Sequence, residues 1–335
     1  MIINIGIIGC GYWGPNLIRN FSSLSNANVI SCCDINDSRL KHIKEIYRSI
    51  KTTKRYQDLL SDPKIDAVII ATPINTHYKI AKEALENGKH ILVEKPLTDS
   101  SKKASELVKL SKKNKKILMV DHTFEYSPPI ILIKKLIKEN KLGKIYSFDS
   151  ARLNLGLFQS DINVLWDLAP HDISILVYLL DETPSKTICI ADSHISPDIE
   201  DNSHIFLNFK DNKTAHIHIS WLHPTKVRRI TIVGSKRMLI FDDVEPFEKI
   251  KLYDKGVYTK LKYYDTYEEF LYKYRSENTT ILKVDNTEPL KLVCEHFLNC
   301  ITRNIRPKTN GITGLKVVKI VEDLQKSLDE FKSDV

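Results

Sequence analysis

Three groups of residues in this chain have the types and spacing to do chemistry. Glu94-Lys95-Pro96 follows a short apolar run and precedes a helical pattern. A lysine in such a strand-to-helix turn can meet a cofactor ribose and a substrate hydroxyl together, and Pro96 stiffens the turn. An isolated lysine in a βα loop is more commonly a surface residue. In the second group, Trp166-Asp167-Leu168-Ala169-Pro170-His171-Asp172, Asp167 and His171 stand four apart ahead of the apolar Ile173 to Leu180. Pro170 suits the first turn of a helix, which puts Asp167 and His171 near one another about a helix N-terminus. The positive partial charge there favours a neutral imidazole and so a base. Asp167 can orient that base or bind a sugar hydroxyl, and Trp166 is assigned with them to the substrate. A capping aspartate and a satisfied histidine are the plain alternative.

The third group is Gly9, Gly11 and Gly14, in G-x-G-x-x-G order directly after the apolar Ile5 to Ile8. Gly9 permits a tight turn, Gly11 leaves room for backbone to approach a pyrophosphate, and Gly14 lets the next helix pack closely; the anion rests on helix N-terminal amides. Tyr12 and Trp13 share the loop and are assigned with it to the cofactor. Pro15 suits an early helical position, and Leu17, Ile18 and Phe21 supply an apolar face. Asp34 ends the apolar run Val29 to Cys33, where a carboxylate can accept hydrogen bonds from the adenosine ribose and repel a 2′-phosphate. NAD is therefore favoured, with NADP second because Arg39 is near in sequence. Read alone, Asp34 is also an ordinary turn residue before a helix over Ile35 to Tyr47.

These groups need elements to position them. Up to about Val120 the strands Asp66 to Ala71, His90 to Glu94 and Ile117 to Val120 alternate with the helices Thr76 to Asn87 and Ser100 to Lys113. Such alternation predicts a parallel, doubly wound sheet whose ligands lie beyond the strands' carboxyl ends, at the loops after Ala71, Val93 and Val120. Past Pro128-Pro129, a helix over Ile130 to Glu139 leads into a strand over Ile145 to Leu155. Further strands are read over Lys186 to Asp192, Asn202 to Phe209, Thr214 to Trp221, Val227 to Val233, Arg237 to Asp242 and Lys249 to Tyr253. Strands without intervening helices predict an open, mainly antiparallel sheet. The fold class is thus α/β: a Rossmann domain over residues 1–121 and an α+β substrate and oligomerisation domain over 122–335. Two tail helices, Pro289 to Asn304 and Gly311 to Asp334, fall in the second domain. Asp243 to Thr287, rich in Tyr and Lys, is the hardest stretch to assign.

Composition narrows the function classes. At 335 residues, with 42% hydrophobic and 27% charged, the chain reads as soluble and large enough for two cores. The net charge of +8 comes from lysines spread along the chain, and Lys112-Lys113-Asn114-Lys115-Lys116 reads as a solvated face. That pattern suits an acidic small ligand and excludes nucleic acid. The six cysteines form no C-x-x-C pair and read as reduced, buried residues of a cytoplasmic protein. Neither a signal peptide nor a membrane span is expected.

Other candidates are positional. His122 and Tyr126 follow the last strand of the first domain, and Arg152 and Asn154 alternate onto one strand face; all four are assigned to substrate binding. Arg152 can meet a phosphate or carboxylate, or be an exposed ion pair. His216 and His218 share a face with Ser220, but no third ligand is fixed; they are assigned to an interface or solvent, and no metal is expected.

Over nearly its whole length the chain resembles the Gfo/Idh/MocA oxidoreductases, through GCGYWG, ATPINTHYKIAKEALENGKHILVEKPL, LGKIYSFDSARLN, WDLAPHDISIL, EPLKLVCEHFLNCI and GITGLKVVKI. The resemblance implies a sugar or polyol pocket shaped by the second domain, and a homo-oligomer, dimer or tetramer. It places Lys95, Asp167 and His171 at catalytic positions, and Thr72, Pro73, Asn75, His77 and Glu94 beside the dinucleotide. Ala169 departs from the family's usual glycine. GYWGPNLIRNF, ARLNLGLFQSDINVLWDLAPHDISIL and DHTFEYSP resemble the branch acting on nucleotide-linked sugars, including UDP-N-acetylglucosaminuronate 3-dehydrogenases of surface-polysaccharide biosynthesis. The activity so implied is hydride transfer from a ring carbinol, C3 of a UDP-linked sugar or sugar acid, to NAD. His171 is the favoured base with Lys95 polarising the oxygen, and the reverse assignment stays open. The alternatives are a 3-ketosugar reductase, an inositol or polyol dehydrogenase, and a non-catalytic NAD-binding regulator; the last has no use for Lys95, Asp167 and His171 together.

Overall fold

A computed structural model describes residues 1–258 and 273–333. The first alternating stretch gives β1 (Ile3–Ile8), α1 (Gly14–Ser22), β2 (Ala27–Cys33), α2 (Asp37–Ile46), β3 (Lys51–Thr53) and α3 (Tyr56–Ser61). It continues through β4 (Ala67–Ile70), α4 (Ile74–Glu86), β5 (His90–Glu94), α5 (Ser101–Lys113) and β6 (Leu118–Asp121), then a 3₁₀ turn at Thr123–Tyr126. The six strands are parallel and ordered β3-β2-β1-β4-β5-β6. Runs such as AVII in β4 are buried along their whole length because helices cover both faces. The order reverses between β1 and β4, the switch point that opens a crevice at the strands' carboxyl ends. Two elements escaped the sequence reading: β3 is three polar residues, and α3 is too short to show a period.

Helix α2 starts at Asp37 rather than Ile35, because the Asn36 side chain accepts from the amides of Ser38 and Arg39, and Ile35 is exposed.

The next part contains α6 (Pro128–Lys138), β7 (Ile145–Leu153), α7 (Val164–Leu180), β8 (Lys186–Asp192), β9 (Asn202–Asn208) and β10 (Thr214–Ser220). These are followed by β11 (Val227–Gly234), β12 (Met238–Asp242), β13 (Ile250–Tyr258) and β14 (Lys273–Leu282). Among the described residues they form an eight-stranded sheet, β14-β13-β12-β11-β7-β10-β9-β8, in which only the β7–β10 pair is parallel. Strand alternation sets its faces: Ile205 and Leu207 are buried on one side, while Phe206 is exposed on the other. Helix α7 packs on β9 and β10, and α6 packs on α7. The hard-to-assign stretch contributes β13 and β14, which pair antiparallel; residues 259–272 lie outside the described ones.

The tail supplies α8 (Pro289–Arg303) and α9 (Gly311–Ser333). A single cut at 121/122 assigns both to the second domain, but the compact units are discontinuous. Met1–Ser127 groups with Thr287–Glu322, and Pro128–Asn286 with Asp323–Val335. Helix α8 packs on α1, with Phe21 edge-on to Phe297 at 6.4 Å, and Arg19 donates two hydrogen bonds to Glu288. Its buried face of Leu290, Val293, Cys294, Phe297 and Leu298 joins the core around Ile5, Ile7 and Leu17. An apolar stripe announces that a helix face is buried, not which sheet buries it. All six cysteines are buried and unbridged. Among the described residues no helix is long and apolar enough to cross a membrane.

Candidate active site

In the first unit, Gly9 leaves β1 with a φ of +98°, and a Cβ there would stand 2.3 Å from the Ala71 carbonyl oxygen. A Cβ on Gly14 would stand 2.1 Å from the Gly9 carbonyl oxygen, whereas one on Gly11 would meet nothing nearer than the Arg39 guanidinium at 3.7 Å. Gly9 and Gly14 are therefore demanded by the loop itself, and the open space at Gly11 is left for something else. Helix α1 has Trp13 at its N-cap and Pro15 in its first turn, with no side-chain cap and no acid in that turn. Bare amides beside an open glycine fit a pyrophosphate. Tyr12 and Trp13 are exposed and meet edge-on at 5.2 Å, which leaves ring faces for a cofactor.

Asp34 is buried at the end of β2. Its Oδ2 accepts from the Cys10 amide at 2.7 Å and its Oδ1 from the Asn36 amide at 2.9 Å. The Arg39 guanidinium stands 3.5 Å from Oδ2. The carboxylate thus braces the glycine loop, and an arginine sits beside it.

In the loop after β4, the Thr72 and Thr76 hydroxyls meet at 2.6 Å, and Pro73 and Asn75 are exposed. His77 lies behind this loop, 1% exposed, with Nδ1 at 2.9 Å from the Pro96 carbonyl and Nε2 at 2.7 Å from the Thr72 carbonyl. It ties the loop after β4 to the turn after β5 and presents no ring nitrogen to a ligand, so it positions the cofactor loops. Burial pushes its pKa down.

Lys95 follows Glu94 at the end of β5. Parallel pairing puts Glu94 in register with Asp121 at the end of β6. Burial, reinforced by Asp121, pushes the Glu94 carboxyl well above its usual range, and burial pushes Asp121 up to about 6. His122 is 1% exposed and is pushed down to about 3 by burial and by the charge of Lys95. Two expected substrate contacts are corrected here. Tyr126 is a core residue of this unit: its hydroxyl meets Thr309 Oγ1 at 3.2 Å and the Lys308 ammonium covers its ring. His122 is likewise closed off from solvent.

In the second unit, α7 begins at Val164, where the Asn163 side chain accepts from the Trp166 amide at 3.1 Å. Pro170 is therefore inside the helix, not in its first turn. Asp167 keeps a first-turn place, but His171 is a turn further on, where the helix dipole has faded. Trp166, Asp167 and His171 are half-buried, and Asp167 accepts from the indole Nε1–H of Trp221 at 3.0 Å. Nothing in the spacing announced Trp221; parallel pairing of β10 with β7 brings it beneath Gly156 and edge-on to Phe158.

Arg152 is buried rather than exposed, and its ion pair lies inside the second unit. Its Nε donates to Asp172 Oδ2 at 2.6 Å and its Nη2 to Oδ1 at 3.3 Å, both ends buried, with Ser150 donating to the same carboxylate. Arg228, opposite Arg152 in register, was also missed; burial and the Arg152 charge push its pKa down. Asn154, two residues past Arg152, is half-buried. On the outer face of the sheet, His204 stacks on His218 at 4.1 Å and on His216 at 5.5 Å. Stacked rings do not converge on a point, and among the described residues no group of His, Cys, Asp or Glu is placed to hold a metal.

A glycine loop at the switch point of a parallel sheet, followed in the chain by a one-sided open sheet, defines a dinucleotide-dependent oxidoreductase. The model of the oxidoreductase family with an NAD-binding Rossmann fold, GFO_IDH_MocA, matches residues 3–122, and that of the GFO/IDH/MocA C-terminal domain matches 130–240. The two together span more than half of the chain, which belongs to the Gfo/Idh/MocA family; it is an oxidoreductase acting on CH–OH groups. Myo-inositol 2-dehydrogenase of Thermotoga maritima is 24% identical over 345 residues, 99% of this chain and 98% of that protein. Levoglucosan dehydrogenase of Pseudarthrobacter phenanthrenivorans is 30% identical over 203 residues, 54% of this chain and 52% of that one. Among solved structures, UDP-N-acetylglucosamine 3-dehydrogenase GnnA from Acidithiobacillus ferrooxidans shares the fold with a TM-score of 0.82 at 21% identity, over 99% of both chains.

Proposed function

We propose that this protein oxidises a ring carbinol of a nucleotide-linked sugar, C3 of a UDP-linked sugar or sugar acid, with NAD. The observation that carries this reading is Asp167, held by the Trp221 indole in the first turn of α7, four residues ahead of His171. A carboxylate so fixed can receive a sugar hydroxyl, and an imidazole one turn on can take the proton released as a carbonyl forms. His171 is the base in this scheme, and the Lys95 ammonium stabilises negative charge developing on the sugar oxygen. The bound dinucleotide supplies the hydride acceptor. The first-turn amides of α1 and the space at Gly11 hold its pyrophosphate, Asp34 its ribose, and Tyr12, Trp13, Thr72, Pro73, Asn75 and Glu94 flank it. NAD is preferred to NADP because the Asp34 carboxylate occupies the end of β2.

The nucleotide-sugar branch draws support from the GnnA likeness along the whole chain; a role in surface-polysaccharide synthesis in the cytoplasm is part of the same proposal. A second reading, an inositol or polyol dehydrogenase, is favoured by the Thermotoga relative, whose match also spans the whole chain. The exposed outer sheet face, with Ile188 and Phe206, suits a homo-oligomer, dimer or tetramer. The test is a screen of UDP- and dTDP-sugars for cofactor reduction, with thermal shift alongside. Turnover of inositol or a free hexose with no response to any nucleotide sugar overturns the branch assignment. Loss of Lys95 or His171 should lower turnover by about 10²–10⁴-fold with little change in NAD affinity; full turnover by His171→Ala removes it as the base.

A further inference from the structure

Glu200 and Asp201 end the connection from β8 to β9, and both are buried, at 4% and 0% exposed. A loop that only joined two strands would leave such acids in water, because burying a carboxylate is costly unless donors fill it. Here donors fill both. Glu200 Oε2 accepts from the Asn163 side-chain amide at 2.6 Å, and Oε1 accepts from the Lys332 ammonium on the last turn of α9. Asp201 Oδ1 meets Nδ1 of His194 at 2.7 Å, and Oδ2 accepts from the backbone amides of His194 and Ile195 at 2.8 and 3.0 Å.

The backbone of the same two residues reaches the two partners of the Trp221–Asp167 bond. The Glu200 carbonyl accepts from the amide of Val164, the first residue of α7, at 2.9 Å. Asn163, gripped by the Glu200 carboxylate, is the cap of that helix, and Gln325 of α9 accepts from the same side-chain amide at 3.1 Å. The Asp201 carbonyl accepts from the Trp221 amide at 2.8 Å, because β9 and β10 pair Asn202 with Ser220 and so bring the next residues level. Glu200 thus holds the start of the helix that carries the acid, and Asp201 holds the residue that carries the indole.

We propose that Glu200 and Asp201 are positioning residues of the reaction: side by side in the chain, they lock α7 and Trp221 together and so fix where the Asp167 carboxylate points. Charge-assisted hydrogen bonds at both acids make this brace stiff. Stiffness matters at a sugar site, since misplacing a contacting group by about 1 Å costs about 10²-fold in rate. The role rests on the reading of Asp167 as the acid that receives a sugar hydroxyl.

The test reads the Trp221 indole N–H resonance of the whole protein in a nitrogen–proton correlation spectrum, assigned by its loss in Trp221→Phe. Glu200→Ala should move that resonance upfield and speed its exchange with solvent by about tenfold, as the bond to Asp167 weakens. With UDP-N-acetylglucosamine or myo-inositol as the probe, kcat/KM should fall by about tenfold or more while NAD affinity holds. Glu200→Gln keeps an acceptor for Asn163 and should restore most of both readouts. Asp201→Asn turns one acceptor into a donor facing donors and should shift the same resonance. A lower melting temperature with the resonance and kcat/KM unmoved overturns the proposal. Should Glu200→Ala fail to fold, Asn163→Ser keeps a helix cap but drops the amide that reaches Glu200, and an unmoved resonance there is equally fatal. The resonance needs no substrate. Full turnover by Asp167→Asn therefore overturns the use of that acid in the proposed function, whereas an unmoved resonance overturns the brace.

Discussion

The indole of Trp221, one residue past β10, donates to the carboxylate of Asp167, on the first turn of α7, at 3.0 Å. The two residues are 54 positions apart, and the bond fixes the orientation of the acid expected to meet the sugar. Trp221→Phe keeps an aromatic ring but removes the donor. A hydrogen bond to a charged group contributes about 1.5–3 kcal/mol, so turnover should fall by about tenfold or more. The loss should appear in kcat/KM for the sugar while NAD affinity, measured by calorimetry, stays unchanged.

The glycines separate by what a methyl group would strike. Gly9→Ala and Gly14→Ala put a Cβ 2.3 and 2.1 Å from backbone carbonyl oxygens, so both should lower the melting temperature and abolish NAD binding together. Gly11→Ala has room in the protein and should melt as the wild type does, while its NAD affinity falls by about tenfold or more because the methyl occupies pyrophosphate space. Thermal melts and calorimetric titration distinguish the two outcomes.

His122 gives a pH dependence of stability with a definite sign. Its folded-state pKa of about 3 lies below the usual 6.5, so the unfolded chain binds the extra proton between those values. Its contribution is present above pH 6.5 and is lost as the pH falls toward 3. Relative to His122→Leu, the wild type should lose roughly 1 kcal/mol per pH unit as the pH drops below that value. Urea denaturation at several pH values measures this difference, and parallel curves for the two proteins contradict it.

Arg152 and Asp172 form a bridge buried at both ends. Arg152→Met alone strands the Asp172 carboxylate and should cost about 3–5 kcal/mol in chemical denaturation. Adding Asp172→Leu should recover much of that loss, since two apolar residues leave no charge unpaired. Further loss in the double variant, equal to the sum of the singles, is the contrary result.

The glycine loop, the EKP turn and the D-x-x-x-H spacing were legible because each is local. A turn needs its glycines at fixed offsets, and a helix brings residues four apart onto one face. Repeating strand and helix periods gave the parallel sheet for the same reason. Arg152 and Tyr126 were not legible, because a strand period shows that a side chain alternates but not what stands opposite. One met Asp172 from a helix and the other Thr309 from the far end of the chain. The start of α7 was misplaced because Pro170 resembles a first-turn proline, while Asn163 caps the helix seven residues earlier.

The sequence by itself determined that a dinucleotide loop precedes a lysine turn and an acid–histidine helix, since spacing along the chain is enough to define each. Tertiary structure alone decided which side chains act on them. Asp121 comes level with Glu94 through strand register, Trp221 reaches Asp167 because β10 lies beside β7, and His77 joins two loops by hydrogen bonds to their carbonyls. Burial, which no local pattern states, then pushed Glu94 and Asp121 up and His77 down by removing water from around them.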